Sequence, residues 1–292
     1  MNHFTISDIE NLTNIKAHTL RIWEQRYGLF TPKRKDSLHR FYDGEDLKKL
    51  LRIAWLYHQG KKISHIASLS ETEIMEMALA TSGGSSDIEV YLNRLMEASI
   101  DLDPVLFNDV LNSVIEKYGI DNTITKLVFP LLKKIGLLWL TGHIIPSQEH
   151  FASGLIIQKL AKAISDLPAP QPREDRRKIA VYSPEGEYHE IPLLFMQYLL
   201  KKKGIPTIYC GVSVSVDLLN EIIATQQCTE LYFQQITKVN RINKEEYFKN
   251  LSKTFPNKKI AFSGSCLQTV QELPVNFEFL PDENAIRNYI NG

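Results

Sequence analysis

The 292-residue sequence is poor in several features that would narrow its class at once. It has only three cysteines, Cys210, Cys228 and Cys266, far apart and never spaced as CxxC. That excludes a disulfide framework and a cysteine-based zinc site, and marks the three as reduced core residues. No apolar run is long enough or free enough of charge to cross a bilayer, and residues 1–30 lack the basic start and apolar centre of a secretory leader. The expectation is a cytoplasmic protein with no membrane partner. Internal repeats and long low-complexity tracts are missing too, which removes solenoids and disordered tails from consideration. Net charge is absent: 34 Lys and Arg balance 34 Asp and Glu. With 43% apolar residues the chain reads as globular and large enough for two or three domains.

The zero net charge hides an asymmetry. Residues 1–70 carry 12 Lys and Arg against 7 Asp and Glu, leaving 22 against 27 for the remainder, so a segment of +5 precedes a body of −5. A basic module on an acidic body suits a nucleic-acid-binding domain joined to a sensing or oligomerising one.

Punctuation along the chain divides it into three. The first module, residues 1–80, ends at the flexible cluster "TSGGSSD". Residues 87–167 then carry four segments with apolar residues at three-and-four spacing, beginning "DIEVYLNRLM", "DPVLFNDVLN", "IDNTITKLVF" and "PSQEHFASGL", which predicts a four-helix bundle. The proline-rich "PAPQPREDRRK" marks a second boundary. From 177 to 292 short β-rich runs, "KIAVYS", "IPTIYCG", "ELYFQQ", "KKIAFSG" and "NFEFLP", alternate with amphipathic ones. This predicts a Rossmann-like, flavodoxin-like parallel sheet, so that the fold class is multidomain α and α/β. Ligands in such sheets sit at the carboxyl ends of the strands, where "GEYHEIP" follows the first of them.

In the first module, "TISDIENLTNIKAHTLRIWEQRYGL" reads as two short helices around a turn, with Ser7 capping the first and Leu20 and Trp23 facing inward on the second. Lys16, His18, Thr19, Arg21 and Arg26 line the other side of that second helix, the composition of a helix that enters a major groove. A basic loop containing Arg34 and Lys35 and a return through His39, Arg40 and Tyr42 form a wing suited to phosphates or a narrow minor groove. Through "TLRIWEQRYGL", Pro32 to Arg34, "HRFYDGEDL" and "WLYHQGKKISHIASL", residues 4–70 resemble the DNA-binding domain of the MerR family. The resemblance implies a winged helix-turn-helix that binds double-stranded promoter DNA as a homodimer or homotetramer. A Gly/Ser linker and a bundle stand where many of these proteins have a coiled coil, which points to a subgroup with a large C-terminal sensor.

"WLTGHIIPSQEHFAS" and the α/β segment together resemble the cobalamin-binding half of CarH/LitR-type light-dependent repressors. That resemblance implies adenosylcobalamin as cofactor, Trp139, Glu149 and His150 over its upper face, and His189 as the lower cobalt ligand from an ExHxxG loop, with Glu187 beside it. An imidazole suits cobalt, and a neighbouring carboxylate orients it or tunes its basicity. The family's final Gly is here Pro192; Gln234 and Gln235 stand after the third strand, Gly264 and Ser265 after the fourth, and Leu140 follows Trp139. Longer side chains narrow the pocket for the displaced nucleotide tail. Two functions follow: a transcriptional regulator, in the family a repressor, that senses adenosylcobalamin and light; or a cofactor-independent regulator whose C-terminal domains serve oligomerisation or a regulatory protein partner. In the second, His189 is a helix-entry residue, Glu149 and His150 a polar patch and Trp139 a core residue. A corrinoid enzyme is disfavoured by the DNA-binding module and the want of a separate catalytic domain, and no catalytic residue is assigned.

Overall fold

The computed structural model describes residues 4–34, 40–80, 87–140, 146–169, 177–237, 244–264 and 273–292. The chain divides into two compact units, Met1–Leu155 and Ile156–Gly292.

The first unit begins with α1 (Ile6–Thr13) and α2 (Ala17–Tyr27), joined through Asn14 in the left-handed conformation. Thr5, not Ser7, caps α1: its hydroxyl accepts from Asp8 N while Asp8 Oδ2 accepts from Thr5 N, a reciprocal box that satisfies two orphan donors. Two-residue strands β1 (Lys33–Arg34) and β2 (Arg40–Phe41) pair antiparallel as the base of the expected wing. The helices α3 (Gly44–His58), α4 (Ile63–Ile66) and α5 (Glu71–Ala80) follow, α3 capped by an Asp43–Asp46 box. Phe4, Ile9, Leu12, Leu20, Trp23, Leu47, Leu51 and Trp55 bury the shared apolar stripes.

The middle segment forms α6 (Asp87–Asp101), α7 (Pro104–Thr123), α8 (Phe129–Leu140) and α9 (Pro146–Asp166). Asp103 caps α7 through Val105 N and Leu106 N, and Pro104 occupies the first turn, where it loses no hydrogen bond. Gly119 (φ 76°, ψ 163°) breaks α7 near its end, as the segmentation of the sequence anticipates. A π turn, Ile124–Val128, leads into Pro130, which has no N–H to offer the helical ladder.

Within the first unit α3 packs on α6. Lys48 Nζ reaches both carboxylate oxygens of Asp101 at 3.0 and 2.8 Å, and Arg52 forks onto Glu97 at 2.9 and 2.7 Å. Lys134 Nζ donates to the Leu12 carbonyl at the end of α1.

The second unit is a parallel sheet of β3 (Ile179–Pro184), β4 (Thr207–Val214), β5 (Glu230–Gln234), β6 (Lys259–Ser263) and β7 (Phe277–Phe279), in the order β4-β3-β5-β6-β7. All five strand segments legible in the sequence are present. The helices α10 (Ile191–Lys202), α11 (Val216–Gln226), α12 (Lys244–Thr254) and α13 (Glu283–Asn291) complete it. β3 is buried along its whole length, the reason it reads as a continuous apolar run. Alternate residues feed two cores: Ala180, Tyr182, Leu231, Phe233 and Phe262 on one face, Ile179, Val181, Tyr232 and Ala261 on the other. The order reverses direction between β3 and β5, which makes the crevice at their carboxyl ends the switch point of a flavodoxin-like sheet.

Candidate functional sites

On the N-terminal unit, helical periodicity sorts α2 into two faces. Leu20 and Trp23 are buried, whereas Lys16, His18, Arg21 and Arg26 are exposed and Thr19 is half-buried. Lys16 stands at the N-cap and pairs with Glu10 at 3.0 Å; the other Glu10 oxygen accepts from Ala17 N, so a carboxylate from α1 caps α2. The Lys16 hydrogen bond, with the amide of Ala17, holds the Glu10 carboxyl below its usual range. His18 Nε2 lies 3.3 Å from Thr19 Oγ1, and the Arg26 guanidinium lies over the Tyr27 ring. Ile22, half exposed, and Gln25 share this face; their spacing from His18 was the signal that would have added them.

At the wing, Arg34 pairs with Arg40 across β1 and β2, their side chains lying outside the described residues together with Lys35 and His39. Tyr42 corrects the reading of this strand. It is 1% exposed, bridges Phe4 through the backbone and meets Phe30 edge-on at 5.7 Å. A ring in that position anchors the wing to the core and offers no surface to DNA.

Of the bundle motif, Trp139 lies in the last turn of α8, its side chain outside the described residues, as are residues 141–145 with His143. Glu149 and His150 occupy the first turn of α9. Glu149 Oε2 meets His150 Nδ1 at 2.8 Å and Glu149 Oε1 accepts from Ser153 Oγ at 2.6 Å, which fixes the carboxylate while the imidazole stays exposed.

On the second unit, Glu187 and His189 lie between β3 and α10. The His189 side chain is 53% exposed and that of Glu187 1%. Glu187 Oε1 accepts from His189 Nδ1 at 2.6 Å and from His189 N at 3.0 Å. Its Oε2 accepts from Ile236 N, Thr237 N and Thr237 Oγ1 at 2.7, 2.8 and 2.9 Å, beyond the end of β5. Burial alone would push this carboxyl up, but the His189 hydrogen bond and the amides of Thr237, His189 and Ile236 outweigh it and hold it at about 2. A carboxylate on Nδ1 fixes the imidazole tautomer and the plane of the ring. The loop is tied to β4 as well, because Ser213 N donates to the Glu187 carbonyl and Ser213 Oγ accepts from Gly186 N. The reach of Glu187 across to β5 is invisible in the sequence, since 49 residues separate it from Ile236.

The positions that depart from the family pattern are mostly described. Pro192 sits in the first turn of α10, where the helix loses no hydrogen bond. Gln234 Oε1 accepts from Tyr232 OH, and Gln235 is 3% exposed with its Nε2 donating to the Thr237 carbonyl. Gly264 (φ 133°) lies so close to the Gln235 backbone that a Cβ there would stand 1.8 Å from Gln235 O. Ser265 lies outside the described residues. The residues present fit the metal of a corrinoid to the extent that one half-exposed imidazole, oriented by a buried carboxylate, could serve as its protein ligand. Ser183 Oγ, buried at the end of β3 without a partner, leaves one hydrogen-bonding position open there. At the switch point the loop after β3 is hydrogen-bonded to the loop after β5 and to β4. Among the described residues no helix is long and apolar enough to cross a membrane.

Residues 4–73 match the MerR HTH family regulatory protein model and residues 91–163 match the B12 binding domain. The HTH-type transcriptional repressor CarH of Myxococcus xanthus is 27% identical over 226 residues, covering 75% of this chain and 74% of the repressor. The HTH-type transcriptional repressor CarA of the same organism is 28% identical over 201 residues, 68% and 65% of the two chains. Among solved structures, the monomethylamine corrinoid protein of Methanosarcina barkeri superposes with a TM-score of 0.55 at 14% identity, over 69% of this chain and 97% of that one, a likeness of fold.

Proposed function

We infer from a chain that joins a MerR-type helix-turn-helix to a B12-binding domain, and that is homologous to two transcriptional repressors over most of its length, that the protein is a DNA-binding transcriptional regulator acting as a repressor. The observation that carries this reading is the exposed polar face of α2 beside a two-stranded wing. Its three working parts are residues 1–80 for DNA, 87–167 for the bundle and 177–292 for the α/β domain. Lys16, His18, Thr19, Arg21 and Arg26 take the major groove, and Arg34, Lys35, His39 and Arg40 the wing contacts. The protein acts as a cytoplasmic homodimer or homotetramer on double-stranded DNA, with no catalytic turnover.

The C-terminal half responds to an adenosylated corrinoid, and possession of the oriented Glu187–His189 pair supports this. When bound, such a cofactor supplies a cobalt–carbon bond that light can break. His189 would supply the protein ligand to such a group's metal, with Glu187 keeping its Nδ1 proton and ring plane fixed, and Trp139, Glu149 and His150 would be the bundle's contacts to the cofactor. The closed switch point favours a second reading, a cofactor-independent regulator controlled by a partner protein. Retention of a corrinoid after gel filtration, with DNA binding followed by mobility shift in the dark and after green light, separates the two. Bound corrinoid with light-dependent DNA affinity supports the first; DNA binding intact with none retained supports the second.

A further inference from the structure

We propose, resting on the corrinoid reading above, that the α/β domain selects corrinoids without a nucleotide loop, and that Gln235 and the Glu187 clasp are the determinants of that selection. When a protein imidazole takes the lower axial position, a complete cobalamin must send its displaced base and phosphoribosyl arm down on the same side as the imidazole, toward the protein. The entrance available on that side is the crevice at the carboxyl ends of β3 and β5.

That crevice is crossed at one place and tied on each flank. Across the β3–β5 gap, the buried Glu187 carboxylate receives Ile236 N, Thr237 N and Thr237 Oγ1. On the β4 side, Ser213 N donates to the Glu187 carbonyl at 3.0 Å. On the β6 side, Gln235 N donates to Ser263 O at 3.1 Å, and Gly264 lies directly against the Gln235 carbonyl. Gln235, the first residue after β5, is buried, and its side-chain amide donates back to Thr237 O. Pushing a polar tail through this seam would strip an ionised carboxylate of three donors, a cost that grows with burial. None of this obstructs His189, whose imidazole is half exposed outside the seam and already oriented by Glu187. A flat ring can therefore be ligated from the top of the sheet while a tail is refused. The ligand class is the cobinamide type, a corrin ring and its amide side arms without nucleotide.

The test titrates the purified full-length protein in the dark with methylcobinamide and with methylcobalamin, whose upper face is closed by the methyl group, following the visible spectrum and cofactor retained on gel filtration. The expected result is retained methylcobinamide with a ligand-exchange shift that His189→Ala abolishes, and methylcobalamin bound at least about 100-fold more weakly. A free imidazole in solution, run in parallel, measures how much of that preference arises from the cofactor's own base. Gln235→Ser should raise methylcobalamin affinity about tenfold or more and leave methylcobinamide binding unchanged, which also reports that the variant is folded. Equal retention of both corrinoids, a preference no greater than that of free imidazole, or an unaltered methylcobalamin affinity in Gln235→Ser would overturn the selection. Retention of neither corrinoid by a chain that still binds DNA would overturn the corrinoid reading itself.

Discussion

At the scale of the residue, Glu187 is where local sequence and distant fold meet. Its spacing from His189 was legible, because a carboxylate two positions before an imidazole in a strand-end loop is within reach of its Nδ1. Its three hydrogen bonds beyond β5 were not, since they exist only once β3 and β5 lie side by side. Tyr42 illustrates the opposite failure: it stands just beyond a two-residue strand, too short for alternation to tell the inward face from the outward one, so a core ring read as a DNA contact. The depressed pKa of Glu187 makes a signed prediction. A carboxyl at about 2 in the fold and near 4.5 when unfolded stabilises the protein fully above the unfolded value, and loses that contribution as pH falls from about 4.5 through about 2. Glu187→Gln should therefore lower stability by about 3 kcal/mol at neutral pH, measured by urea denaturation of the α/β transition. The gap between wild type and variant should narrow steadily below pH 4.5. A gap independent of pH would mean that shape and not charge makes the clasp.

Among the elements, α2 and α3 divide the basic charge of the N-terminal module between two tasks that composition alone could not separate. On α2 Arg21 is exposed, whereas Lys48 and Arg52 on α3 turn to Asp101 and Glu97 of α6. Helices and strands as such were readable because their apolar periods are long and their caps follow rules; Thr5 and Asp8 form such a box, with its cap two residues before the expected Ser7. The π turn before Pro130 had no comparable signal. If Arg21 meets a phosphate, Arg21→Ala should weaken DNA binding at all sequences and reduce the log–log salt slope by about one, while Lys48→Met leaves that slope unchanged. Mobility shifts across a salt series decide this, and a lower slope for Lys48→Met would place α3 on the DNA. For the helix pair itself, Arg52→Ala should cost the N-terminal unit about 2 kcal/mol, because it leaves a largely buried Glu97 without its guanidinium. The charge exchange Arg52→Glu with Glu97→Arg should recover part of the loss, whereas independent, additive losses in thermal unfolding would mean that the two side chains do not act as a pair.

At the scale of the whole molecule, the order of the parts was legible from charge, punctuation and period: a basic module, a helical bundle, a parallel sheet. What could not be read was the packing across the first boundary, where α3 and α6 meet through the pairs just described, since contacts between segments far apart leave no periodic trace. That packing places α1 to α3 and α6 to α8 in one compact unit. Thermodynamics then constrains any sensing function without reference to its structural route. If loading with an adenosylated corrinoid tightens operator binding by some factor, operator DNA must tighten corrinoid binding by the same factor, about 5- to 150-fold for a coupling of typical size. The expected outcome is a corrinoid dissociation constant lowered by a saturating operator duplex to the same extent that saturating corrinoid lowers the DNA dissociation constant, both measured in the dark. A scrambled duplex should have a smaller effect, because nonspecific phosphate contacts favour the two protein states more equally. Corrinoid binding indifferent to operator would leave the cofactor without regulatory consequence, and the C-terminal half would then exert its control through a protein partner.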